Sequence, residues 1–184
     1  MNLRAAITAV AVAAVSAGCA GTGPVDADAP PPPPSEQSQI YATVLRQLTT
    51  VDNPVGGMSA PAGTIRVVDR IIPQNADLRP EADGPLFDED VKREVTELSA
   101  PLAPVEFVTP AEQPAITGRG GVVGGDEDGF VVALDAPAHQ DDGAVQVGAS
   151  AWCGGDCGIW LTYVLDHVDG QWVVTGTTGP VWIA

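Results

Sequence analysis

The sequence predicts an α+β domain: a mostly antiparallel sheet ending in a three-stranded meander, with about two helices packed on one face. Several observations carry this. Two turns inside the last 41 residues, Ala144 to Ala184, join apolar runs of strand character. Two upstream stretches repeat apolar residues at helical spacing, and short β-branched runs stand beside them, each bounded by proline or glycine.

Residues 1–18 read as a signal peptide. Arg4 supplies the positive start, Ala5 to Val15 the apolar run, and Ser16-Ala17-Gly18 the small residues before Cys19. Small residues ending directly on a cysteine resemble the lipobox of bacterial lipoproteins. That resemblance implies that the Cys19 thiol takes a diacylglyceryl group and that Cys19 opens the mature chain. Ser16 departs from the motif, which most often has leucine there, and an ordinary secretory signal cut nearby is the alternative. The apolar run falls short of the about 20 residues that a membrane-spanning helix needs. The expectation is a cell-membrane protein held by lipid at the extracytoplasmic face. Residues 19–38 contain the row Pro30 to Pro34 and read as a Pro-rich disordered tether. Residues 39–184 are left for a single α+β domain.

Ile40, Val44, Leu45 and Leu48 recur at helical spacing and predict a helix over Ile40 to Thr50, ended by Asn53-Pro54 and Gly56-Gly57. Thr64 to Ile72 alternates as a strand, with Asp69 as the misfit on its apolar side, expected at the strand edge; Pro73 stops it. A second helix is predicted over Asp88 to Ser99. Asp88 caps it, Glu89 and Asp90 suit its positive end, and Val91, Val95, Leu98 and Leu102 form one stripe. Val105 to Thr109 and Gly129 to Leu134 are the remaining short strands.

The meander can be registered from its turns. If Cys153 faces Cys157, then Ala151 opposes Ile159, Ala149 opposes Leu161, Val147 opposes Tyr163 and Val145 opposes Leu165. Asp169-Gly170 accepts the positive φ angles of a type I′ turn, which pairs His167 with Trp172, Leu165 with Val174 and Tyr163 with Gly176. The two hairpins, registered independently, select one apolar face that includes Tyr163 and Trp172, and Trp172 is expected to be the costlier of the two to lose. The other face carries Trp152, Trp160, Val164 and Val173 among polar residues.

The run W-C-G-G-D-C-G, followed by L-T-Y-V-L, D-G-Q-W-V-V and G-P-V-W-I-A, resembles the C-terminus of a group of uncharacterised exported bacterial lipoproteins. A looser likeness covers Ile40 to Asn53. The resemblance implies a shared fold and brings no catalytic residue with it.

Lys and Arg number 8 against 24 Asp and Glu, a net charge of −16. So acidic a chain lacks the basic patch that nucleic acid requires, and it does not suit docking on anionic lipid. Cys153 and Cys157 are expected to form a structural disulfide outside the cytoplasm. A redox pair and a metal site are the other readings, but C-x-x-x-C lacks the two-residue gap of thioredoxin-like sites, and two thiolates need His139 or His167 to complete a zinc shell. His167 follows Asp166, yet strand neighbours point to opposite faces, so no dyad is implied, and His139 falls in a polar loop. In G-R-G-G-V-V-G-G-D-E-D-G, Asp126 and Asp128 hold the third and fifth positions of a calcium loop whose first is Gly124, which makes them weak metal candidates. No cofactor motif is present. The sequence thus favours a non-catalytic binding or envelope-associated module, with a small extracytoplasmic hydrolase using a carboxylate or His139 or His167 in a sheet-helix cleft as the alternative.

Overall fold

The computed structural model describes residues 32–54, 63–73, 84–112, 130–154 and 157–184. The chain divides into two units, Met1–Pro32 and Pro33–Ala184, and all the elements below belong to the second. They run α1 (Glu36–Thr50), β1 (Ile65–Ile71), α2 (Glu89–Ser99), β2 (Val105–Val108), β3 (Phe130–Leu134), β4 (Ala138–His139), β5 (Val145–Gly154), β6 (Cys157–Val168) and β7 (Gln171–Ile183). The fold is α+β as expected. Its sheet follows the order β2-β1-β3-β5-β6-β7, and β4 pairs with β5 beyond the end of β3. β1 runs parallel to both β2 and β3, and every later pairing is antiparallel.

Helix α1 begins inside the stretch assigned to the tether. Ser35 is its N-cap: the Ser35 side chain accepts from the Ser38 amide, and its own amide donates to Glu94 of α2 at 2.8 Å. A capping serine next to an acid outweighs the adjacent prolines, so the helix starts at Glu36 rather than Ile40. The predicted stripe Ile40, Val44, Leu45 and Leu48 is buried in full. Helix α2 is capped by Asp88, whose carboxylate accepts from the Asp90 amide, and it buries Val91 and Val95. Both helices share one core with a single sheet face, including Ile65, Val67, Val132, Leu134, Val145, Val147, Ala149, Ala151, Leu161, Tyr163 and Leu165.

Within the meander, the four opposed pairs expected of the first hairpin are all present, and so are His167 with Trp172 and Leu165 with Val174. Asp169 and Gly170 have φ of 51° and 82°, as a type I′ turn requires. Two corrections come from bulges. At the first hairpin tip Trp152 opposes Gly158 but Gly154 opposes Cys157, so Cys153 is the extra residue and does not stand directly opposite Cys157. Thr175 is extra on β7, so Tyr163 faces Thr177 instead of Gly176. Its hydroxyl is held by Asp166 Oδ2 at 2.7 Å. A further shift falls between Trp160 and Thr162, where Gly179, Pro180 and Val181 stand against Leu161 alone.

Asp69 is also corrected. It lies on the internal strand β1, just past the last registered pair with β2, Val68 with Val108, and is 9% exposed, with Lys92 Nζ of α2 2.8 Å from its Oδ2. The sheet face turned away from the helices carries Val68, Val131, Trp152, Trp160 and Trp182. Trp152 and Trp160 close over Gly158, where an added Cβ would meet Trp160 Cη2 at 2.7 Å.

Candidate functional site

A cleft of about 380 Å³ opens between α1 and the first residues of β7. α1 contributes Gln39, Thr43, Arg46 and Gln47 at helical spacing along one side, Leu98 of α2 closes one end, and Gln171 to Val174 form the opposite wall. The β7 wall follows from the type I′ turn, which sets Trp172 and Val174 on the helix side of the sheet, both half-buried against the core. Trp172 packs at 5.1 Å, tilted, on His167, and its carbonyl accepts from Thr43 Oγ1 at 3.4 Å.

The other wall is fixed through a buried tyrosine. The Tyr163 hydroxyl donates to Asp52 Oδ2 at 2.9 Å, and Gln47 Nε2 donates to the same oxygen at 3.0 Å. Tyr163 is fully buried, and burial first, then the bond to the Asp52 carboxylate, raises its pKa far above the ordinary phenol value. The chain Tyr163–Asp52–Gln47 thus pins the last turn of α1 to the middle of β6 and orients an amide that lines the cleft.

Arg46 gives the cleft its charge. Among the described residues it is the one cation whose charged group has no partner. Arg66 lies 3.8 Å from Glu106, Lys92 bridges Asp69 and Glu89, Arg93 meets Asp90, Glu94 and Glu97, and Arg70 is engaged as well. In a chain with three acids for every base, the exposed Arg46 guanidinium is left to solvent rather than to a described acid. Its planar fork is matched to carboxylate or phosphate. Amide and hydroxyl groups, an indole and one guanidinium make up the polar lining; among the described residues that line the cleft there is no carboxylate or imidazole to move a proton.

The residues singled out in the sequence lie elsewhere. His139, on β4, lines a separate cavity of about 420 Å³ with Ser35 and Glu36. Ser35 is occupied there as the α1 cap, bonded to Ser38 Oγ at 2.7 Å, and His139 makes no hydrogen bond to it or to Glu36. His167 is exposed and stacks on the tryptophan, at the margin where the register put it. A third cavity beside α2 contains Asp69, Lys92 and Phe107, and its central charges already neutralise one another. Asp126 and Asp128 lie outside the described residues, as does the side chain of Cys153. No described helix is long and apolar enough to cross a membrane. Sequence reasoning named a sheet-helix cleft only as the seat of a carboxylate or histidine and missed Arg46; the one available signal was an arginine on the helix flank next to the apolar stripe, which reads as a solvated face until its neighbours are known. The chain matches no known family, no curated protein and no solved structure.

Proposed function

We propose that this chain is an extracytoplasmic lipoprotein, anchored through acylated Cys19, whose domain is a non-catalytic binding module that takes an anionic ligand with an apolar body into the α1/β7 cleft. The unpartnered Arg46 guanidinium beside Trp172 carries this reading. A carboxylate or phosphate on Arg46 gains a charge-assisted hydrogen bond, and an apolar body covers Trp172 and Leu98. The amides of Gln39, Gln47 and Gln171 supply orientation. The Cys153–Cys157 pair belongs to the same proposal as a structural cross-link at the β5/β6 tip, remote from the cleft.

Titration of the protein with N-acetylated apolar amino acids and with their carboxamides tests the site. The acids shift the Arg46 and Trp172 resonances, the carboxamides bind at least tenfold more weakly, and Arg46→Gln removes the difference. Equal binding of acid and amide, or acid binding that Arg46→Gln leaves intact, refutes the assignment. For the anchor, mass spectrometry of membrane-extracted protein finds a diacylglyceryl group on an N-terminal Cys19; an unmodified N-terminus elsewhere refutes it.

A further inference from the structure

The wall that β7 contributes is a free strand edge, and its backbone polarity can be read from the register. Val168 and Gln171 flank a two-residue turn and close it as a hydrogen-bonded pair. Antiparallel pairs alternate, so Asp166 and Val173 also exchange hydrogen bonds, while His167/Trp172 and Leu165/Val174 do not. The N–H and C=O groups of Trp172 and Val174 therefore point off the sheet, away from β6. Among the described residues, no strand stands beyond β7 in the order of the sheet. Thr43 takes the Trp172 carbonyl, and the cleft opens onto the rest.

The shape of the cleft agrees. Its β7 wall is four consecutive residues, Gln171 to Val174, whose side chains alternate between the two sheet faces. A cavity touching both alternants runs along the rim of the strand rather than over one face. Exposed edges are normally blunted by charge or proline. β7 carries further devices at the Thr175 bulge and, in its far half, at Gly179, with φ of 70°, and Pro180, all of them beyond the stretch Gln171 to Val174. From Gln171 to Thr178 it has no charged residue and no proline.

We infer that the cleft receives an extended peptide from another protein, added as a strand to β7 between Gln171 and Val174, with one carboxylate of that peptide on Arg46. This rests on the cleft being the binding site and names its ligand. Strand addition supplies the main-chain hydrogen bonds, and alternate peptide side chains enter the space beside Trp172 and Leu98. The charge of −16 disfavours a polyacidic run, so a single carboxylate beside apolar and β-branched residues is the expected composition.

The test selects binders to the full chain from a randomised octapeptide library with free C-termini, then follows backbone amide exchange by NMR and affinity after single N-methylation. Selected peptides slow exchange at the Val174 amide at least tenfold and leave Val173, already bonded to β6, unchanged. N-methylation at alternate peptide positions weakens binding at least tenfold, and at the positions between by less than twofold. Arg46→Gln weakens binding at least tenfold. Peptides that depend on Arg46 yet show neither Val174 protection nor a two-residue N-methyl period overturn strand addition and leave the anion cleft standing. A library that yields no binder overturns strand addition too, and the N-acetyl amino acid titration then decides the cleft by itself. Val174 protection that rises with protein concentration in the absence of peptide, with a doubled mass, overturns the proposal in favour of a self-interface.

Discussion

Replacing Tyr163 by phenylalanine tests how α1 is held on the sheet. The ring is 0% exposed and its hydroxyl donates to Asp52 Oδ2 at 2.9 Å. A hydrogen bond to a charged group is worth about 1.5–3 kcal/mol. Asp52 keeps its bond from Gln47, so Tyr163→Phe should fall near the lower bound, about 1.5 kcal/mol. Asp52→Ala leaves a buried hydroxyl without an acceptor and costs about 1–3 kcal/mol. Because each change removes the same bond, the double variant should lose less than the sum, with a coupling of about 1 kcal/mol. Tyr163→Ala also removes a buried ring, at about 3–5 kcal/mol by comparison with other aromatic truncations. Trp172→Ala, at a half-buried position, should cost about 1–2 kcal/mol, which reverses the order expected from sequence. Val168, exposed on the turn, should change stability by less than about 0.5 kcal/mol when cut to alanine. Urea titration at constant m-value measures all of these. Wild-type midpoints for both Tyr163→Phe and Asp52→Ala, or strict additivity of the pair, would refute the anchoring of α1 through this bond.

The other predictions concern charge and cross-linking. Lys92→Met should cost about 2–3 kcal/mol, less than the range for a fully buried broken pair because its side chain is 15% exposed, and Asp69→Ala should cost less, since Lys92 retains Glu89 while Asp69 without Lys92 is left buried and unpaired; chemical denaturation of the two variants checks the order. Burial pushes the Tyr41 phenol up to about 12 from 10.0. A raised folded pKa keeps its contribution intact below the unfolded pKa and loses it as pH rises from 10 towards 12, so stability should decline over that window, and Tyr41→Phe should flatten the decline in urea titrations run across it. Cys153→Ser with Cys157→Ser should lower the melting temperature modestly, the stability lost being less than the roughly 3 kcal/mol assigned to closing a 15-residue loop; loss of ligand binding at unchanged fold would instead assign the pair a functional role.

The elements that the sequence determined by itself are those whose causes are local. Asp169-Gly170 fixes a turn because only its own φ angles matter, and the turn then dictates which residues of β6 and β7 share a face. Asp88 caps α2 and the stripe of α1 faces the core for the same reason, since the signal lies within a few residues. The alternation of β5 and β6 registers correctly until a bulge intervenes, and bulges answer to cross-strand partners such as Asp166 for Thr175, which spacing does not reveal. Tertiary structure alone decided the rest. Asp69 becomes a buried ion only because α2 delivers Lys92 from 23 positions away, and Tyr163 becomes a helix anchor only because Asp52 arrives from 111 positions away. Arg46 acquires its meaning in the same manner. A guanidinium on a helix flank is ordinary until packing settles which acids reach it, and here packing brings the edge of β7 and Trp172 into the same cleft and, among the described residues, no acid into its lining, because charge pairing and cavity shape are properties of surfaces that meet, not of neighbours along the chain.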